Sequence, residues 1–309
     1  MVFEITAVLG LIGGIALLAY SSDKAVEHSI SIASRLGVSP LLIGLVIVSI
    51  GTDLPEIFNA IISWGMGHGN ISVGDCFGSI VAQITLVVGI LALIGGTFEV
   101  KRDEIIVIGA CELLAIIAAV SIVEKGYISR MNAVFLVASW PLLMLIVKSI
   151  MKKDYQKQPT DRALRHHIAI TVIGYAGVAI GAYIVINSVI ALSEILNIHE
   201  YLISFFMVAI GTSLPELAVD LTAIRKKQYE IAIGDAIGSC LVDASLSIGI
   251  GPLIFPGSLS GRLAETTGLY ALLASIIVIS VLAARKKLDR KAGILFIIVY
   301  GLSYTLLYI

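Results

Sequence analysis

The chain has 309 residues, of which 58% are hydrophobic and 14% charged, and its formal net charge is −1. With a mean hydropathy of +1.00, a soluble domain of this size could not hide its apolar surface, so the composition excludes the soluble classes and makes the bilayer the solvent. The net charge by itself says nothing about partners; the placement of the charges does.

Taken in chain order, ten apolar stretches are long enough to be spans of about 20 residues. They run over Ile5–Tyr20, Pro40–Trp64, Ile71–Gly96, Ile105–Val123, Met131–Val147, Ile168–Ile190, Tyr201–Ile224, Ile231–Phe255, Thr266–Ala284 and Ala292–Ile309. Helices satisfy their own backbone in lipid, so the expected class is an all-α polytopic membrane protein. Met1-Val2-Phe3-Glu4 provides no basic start and no small-residue cleavage site follows, so the first stretch reads as a retained helix. Cys76, Cys111 and Cys240 fall inside apolar stretches without metal-type spacing and read as packing residues.

Lys and Arg alternate in abundance along these spans. The connections after the odd-numbered spans hold 18 of the 21 basic residues, and both termini with the remaining connections hold 3. The positive-inside rule then puts the first set in the cytoplasm and both termini outside a cell membrane. The chain also repeats at an offset of 160 residues: Gly51-Thr52-Asp53-Leu54-Pro55-Glu56 aligns with Gly211-Thr212-Ser213-Leu214-Pro215-Glu216, and "ISVGDCFGSIVAQ" (71–83) aligns with "IAIGDAIGSCLVD" (231–243). Residues 1–150 therefore form a first five-span repeat, 151–167 a cytoplasmic linker, and 168–309 a second repeat. An odd span number inverts the second copy, as in transporters that place a site at mid-membrane between broken helices.

Eight acids fall within the spans, namely Asp53, Glu56, Asp75, Glu112, Glu216, Asp220, Asp235 and Asp243, and no basic residue falls clearly among them. A buried carboxylate without a partner costs several kcal/mol, so these acids are protonated, hydrated or paired with a mobile cation, and cation binding is the economical explanation. Pro55 and Pro215 remove a helical donor and leave carbonyls near Gly51 and Gly211 without partners, beside Glu56 and Glu216. Thr52, Thr212 and Ser213 add hydroxyls at the same turns. Asp75, Ser79 and Gln83 lie at i, i+4, i+8, as do Asp235, Ser239 and Asp243, so each trio occupies one helix stripe, with glycines keeping the backbone slim for a neighbouring broken helix. An all-oxygen donor set of this kind suits Ca²⁺ and also Na⁺.

These paired segments resemble the two alpha repeats of the cation/calcium antiporter superfamily, and within it the prokaryotic sodium/calcium exchangers. The resemblance implies exchange of Ca²⁺ for Na⁺ by alternating access, with Glu56 and Glu216 as central Ca²⁺ ligands and Thr52 and Thr212 contributing carbonyls or hydroxyls. It implies further that Ser79, Ser213 and Ser239 help form flanking Na⁺ sites, that Asp243 and Gln83 line the middle, and that the first and sixth spans slide past the rest. Three departures from the family pattern stand out, namely Asp53 in place of Ser, Gln83 in place of Asn, and Gly-Asp at 74–75 and 234–235 in place of Gly-Asn, and the aspartates make this site more acidic. H⁺ in place of Na⁺ is the alternative coupling ion.

Asp75 and Asp235 lie near expected helix starts, where capping competes with ion binding. Asp220 shares a face with Glu216 and reads either as a residue of the ion path or as a solvated helix end. Glu112 has no motif around it and reads as a packing acid. A cation channel is a weaker alternative, and no catalytic constellation or nucleotide-binding motif supports an enzyme or an ATP-driven pump. The expected partners are lipid and the transported cations, with no nucleic acid, nucleotide or resident cofactor, in a monomer.

Overall fold

The computed structural model describes residues 2–36, 39–150, 164–193 and 200–308. It is built almost wholly of helices: α1 (Val2–Leu36), α2 (Pro40–Thr52), α3 (Leu54–Gly65), α4 (Gly69–Ile94), α5 (Arg102–Val123), α6 (Arg130–Ile150), α7 (Leu164–Ser193), α8 (Ser204–Thr212), α9 (Leu214–Arg225), α10 (Tyr229–Ile254), α11 (Gly261–Arg285) and α12 (Arg290–Ser303). By length and composition, α4, α5, α6, α10 and α11 can each cross a membrane, and counting α2 with α3 and α8 with α9 as single bent spans makes seven among the described residues.

Two boundaries differ from the sequence expectation. Helix α1 continues through the polar stretch after Tyr20 to Leu36, because that stretch packs along α7 instead of turning away. The linker expected at 151–167 falls mostly outside the described residues, but its last residues, Leu164 to His167, already belong to α7. His167 is buried there, with its Nδ1 3.0 Å from Nδ1 of His28 on α1.

The bends come where the prolines put them. Asp53 (φ −77°, ψ 6°) and Ser213 (φ −78°, ψ 3°) leave helical geometry, with Pro55 and Pro215 in the first turns of the helices that follow. The axis turns by 44° between α2 and α3 and by 41° between α8 and α9. A proline is tolerated in a first turn but cannot continue the ladder backwards, so each bent pair is two helices meeting at an opened turn.

Four short stretches are π-helical: Gly44–Val48, Ala82–Val87, Ser204–Val208 and Asp243–Ser247. Thr85 and Ser245, which are 160 positions apart, each donate a side-chain hydroxyl to the carbonyl four residues back, on Val81 and Leu241. A π turn moves its amide bonds to i−5 and leaves such carbonyls to be satisfied otherwise. The π stretches bring Gln83 and Asp243 into the molecule's centre on widened turns.

Helices α4 and α10 form that centre, with 78% of each apolar window buried against 17% for α6. The broken helix of each half packs on the glycine-lined helix of the other half: α8 on α4 and α2 on α10. A Cβ on Gly78 would sit 2.1 Å from the Phe205 carbonyl oxygen, and one on Gly238 would sit 2.8 Å from that of Leu45. Two antiparallel two-residue strand pairs close the ends. Strand β1 (Phe98–Glu99), after α4, pairs with β4 (Lys287–Leu288), after α11; β2 (Tyr127–Ile128), after α5, pairs with β3 (Gly257–Ser258), after α10.

Candidate cation site

Both bent pairs point their opened turns at the same place. Asp53, Glu56 and Glu216 each bring one carboxylate oxygen to within 4.8 Å of the others. All three are fully buried, and among the described residues none of their six oxygens has a hydrogen-bond partner. Among the described residues no ion pair involves these acids; the pairs lie elsewhere, as in Lys226–Asp23 and Arg285–Asp289. Three anionic groups this close repel one another strongly in a low-dielectric interior, so the cluster is built to hold positive charge.

The flanking residues come from α4 and α10. Asp243 is fully buried with both carboxylate oxygens unpartnered, and Gln83 and Ser247 adjoin it. The Gln83 amide oxygen accepts from the Cys240 thiol at 3.6 Å, leaving the amide nitrogen unpaired. Ser213 is buried with an unpartnered hydroxyl. On the α4 side, Ser79 and Thr212 bring their hydroxyl oxygens to 3.2 Å, and on the α10 side, Thr52 and Ser239 bring theirs to 3.4 Å. Every residue of the sequence-derived donor set therefore lies buried on the four segments that meet here.

Asp75 and Asp235 are not helix caps. Their helices begin at Gly69 and Tyr229, about a turn and a half earlier, with His68 and Gln228 at the cap positions. The two acids differ from each other as well. Asp75 is satisfied by two donors, the Thr212 hydroxyl at 3.0 Å on one oxygen and the Asn59 amide at 2.5 Å on the other. Ser63 in turn donates to Asn59 at 3.0 Å. Asp235 accepts from the Thr52 hydroxyl at 3.4 Å, and its second oxygen is unpartnered.

Asp220 is fully buried, which overturns the solvated-helix-end alternative: it lies one turn beyond Glu216 on the face that packs against α10. Glu112 stays away from the cluster. It accepts a hydrogen bond from Ser275 at 2.6 Å across the α5–α11 contact, consistent with a packing acid.

Three elements were not singled out in the sequence. Asn59 carries a usable signal, a polar residue three positions after Glu56 in an apolar span. The π turns have no signature beyond the hydroxyls at 85 and 245. Tyr175 on α7 lays its ring where a Cβ on Gly51 would lie, 2.4 Å from the ring's first carbon, and its phenol sits 3.3 Å from the Ser29 hydroxyl on α1, so α1 and α7 meet the bent pair at its opened turn.

The chain matches the family described as sodium/calcium exchanger protein over residues 6–148 and 166–309. The chain belongs to that family. Among similar curated proteins, the sodium/calcium exchanger MaX1 of Methanosarcina acetivorans is 27% identical, over 94% of this chain and 95% of its own. The putative antiporter CaxA of Alkalimonas amylolytica is 26% identical over 98% and 99%. A solved structure of the sodium-calcium exchanger NCX_Mj, soaked with Na⁺ and Sr²⁺, superposes with a TM-score of 0.81 at 28% identity, covering 98% of each chain. This exchanger-family chain is thus an all-α, multi-pass membrane protein of the cation/Ca²⁺ antiporter kind.

Proposed function

We propose that the chain exchanges Ca²⁺ for Na⁺ across the cell membrane by exposing one central acidic site alternately to its two sides. The observation that carries this reading is the Asp53–Glu56–Glu216 cluster, buried, unpaired and assembled from both halves of the chain. Glu56 and Glu216 are the Ca²⁺ ligands in this reading, with Asp53, Asp243, Gln83, Thr52 and Thr212 completing the shell. Ser79, Ser213 and Ser239 flank it as Na⁺ ligands. Opened turns provide carbonyls without the cost of unfolding a helix in lipid. No resident cofactor and no catalysis are part of the proposal.

The proposed topology has ten spans in two inverted repeats, 1–150 and 168–309, with both termini outside. Three contacts support it. Strand β1 joins β4 and Lys101 pairs with Glu230, linking connections assigned to the cytoplasm, and β2 joins β3 between connections assigned to the outside. Pairings across sides would have contradicted the assignment of the basic residues.

A second reading, exchange of a divalent cation for H⁺, is favoured by Asp53, whose extra carboxylate gives a proton a place to bind. The deciding experiment is Ca²⁺ flux in proteoliposomes under an imposed Na⁺ gradient and, separately, an imposed pH gradient. Na⁺-driven uptake that is lost in Glu216→Gln is the expected result. Uptake driven only by pH selects the second reading, and undiminished flux in Glu216→Gln overturns both.

A further inference from the structure

Asp220 and Asp235 come from different helices, α9 and α10, and their carboxyl groups lie against each other. Both residues are fully buried. Among the described residues neither oxygen of Asp220 has a hydrogen-bond donor, and one oxygen of Asp235 has none, so three of the pair's four oxygens are unsatisfied. The fourth has the Ser239 hydroxyl nearby and accepts from Thr52. The Thr52 hydroxyl carries a single hydrogen and sits nearer its own helix carbonyls, Val48 and Ser49 at 3.2 Å each, than Asp235 at 3.4 Å.

The other half of the molecule shows what a satisfied acid looks like here. Asp75, which matches Asp235 in the repeat, has both oxygens taken by donors from Asn59 and Thr212. The second half offers Asp235 no such amide: Val219 stands at the repeat position of Asn59, and the next residue, Asp220, is a second carboxylate. Two adjacent buried carboxylates without donors cost several kcal/mol each unless something positive joins them.

We propose that Asp220 and Asp235 form a second cation site, separate from the central cluster, that takes a divalent cation of the Ca²⁺ class. A single divalent ion neutralises both carboxylates. The pair's four carboxylate oxygens, three of them unpartnered, supply at least half of the oxygens such an ion takes, which number six to eight. Asp220 lies one helical turn from Glu216, about 6 Å along the axis, and Asp235 lies two turns, about 12 Å, before Asp243. The site is therefore offset from the centre toward the end of α9 that carries Arg225, Lys226 and Lys227. Two divalent ions this close repel, so the second ion binds more tightly when the central site is empty. The pair thus acts as a staging position through which an ion passes to or from Glu216. This inference rests on the chain being a cation carrier, but not on the roles given to Glu56 and Glu216.

The test is Ca²⁺ binding to the purified full chain in nanodiscs, by equilibrium dialysis with radioactive Ca²⁺. Glu56→Gln/Glu216→Gln is expected to retain one ion per chain, and adding Asp220→Asn is expected to remove it. Asp220→Asn alone keeps the central ion, which also reports that this near-isosteric change leaves the chain folded. Asp235→Asn on the double variant serves as the second arm. The proposal is overturned if the double variant binds no Ca²⁺, or if its ion survives both Asp220→Asn and Asp235→Asn. Failure of the central reading looks different: Ca²⁺ flux persists in Glu216→Gln while an ion is still lost with Asp220→Asn.

Discussion

Thr212 donates its hydroxyl hydrogen to Asp75 at 3.0 Å across 137 positions of sequence, and so ties the opened turn of one half to the central helix of the other. Ser79 joins the same hydroxyl, and Asn59 takes the second oxygen of Asp75. Because Asp75 is already satisfied, Asp75→Asn is expected to lower Ca²⁺ affinity far less than Glu216→Gln. Thr212→Val should weaken binding and also lower the melting temperature, since a buried carboxylate oxygen loses its donor, at about 1–3 kcal/mol. Calorimetric binding and thermal unfolding of the two variants check both outcomes.

Asp53 is the acid that distinguishes the first copy of the motif from the second, where Ser213 stands. Asp53→Ser restores the symmetry and removes one of three carboxylates from the cluster. Ca²⁺ affinity is expected to fall by about tenfold, which is about 1.4 kcal/mol, since charge count at the ligand shell sets the affinity of oxygen sites. A titration in which Asp53→Ser binds as tightly as the parent chain removes Asp53 from the shell.

Gly78 has no room for a methyl group, because the Phe205 carbonyl stands 2.1 Å from the position a Cβ would take and both partners are backbone. Gly78→Ala is expected to destabilise by about 1–3 kcal/mol through forced separation of α4 and α8. Gly13→Ala, at a position with nothing within 4 Å, is the matched control and should leave the melting temperature unchanged or raised.

Much of the site could be read in the sequence because its logic is chemical. Acids beside prolines in apolar spans, repeated at one fixed offset, leave few explanations in lipid, and Glu56 and Glu216 follow from that, while Asp243 follows from its helix stripe with Asp235 and Ser239. What could not be read depended on three-dimensional neighbours. Asp75 and Asp235 occupy matching positions in matching motifs, and only Asn59 in one case and Asp220 in the other make one satisfied and the other not. The expectation of capping failed because both helices start at Gly69 and Tyr229, about a turn and a half before the two acids. The length of α1 was hidden for a similar reason, since its polar second half is covered by α7 and not by lipid.

Ser275 is the donor to Glu112, a buried acid outside the cation cluster whose other oxygen is unpartnered. Ser275→Ala is expected to cost about 1–3 kcal/mol by leaving Glu112 unsatisfied. Transport per folded molecule should be unchanged. A large fall in flux at preserved stability would give Glu112 a part in transport that its position does not suggest.

Asp289 caps α12 by accepting from the Ala292 amide at 3.0 Å and also pairs with Arg285. These contacts, the amide first, hold its carboxyl below the usual carboxylate range. A group whose folded value is depressed adds stability above its unfolded range and loses it as pH falls. Asp289→Ala should therefore lower the melting temperature at neutral pH, and the difference from the parent chain should shrink under acid conditions, as read by thermal unfolding across pH.

The crossed packing of each broken helix on the other half's glycine-lined helix has a bearing on biosynthesis. As the chain leaves the ribosome, the first half enters the bilayer with Asp53, Glu56 and Asp75 already in place, but the helices that enclose them are not yet made. Until α10 is inserted, those acids line an open cleft, and the nascent protein must keep them hydrated or protonated. An assembly intermediate arrested between residues 167 and 229 should therefore be unable to occlude an ion, and should be the species that membrane quality control meets first.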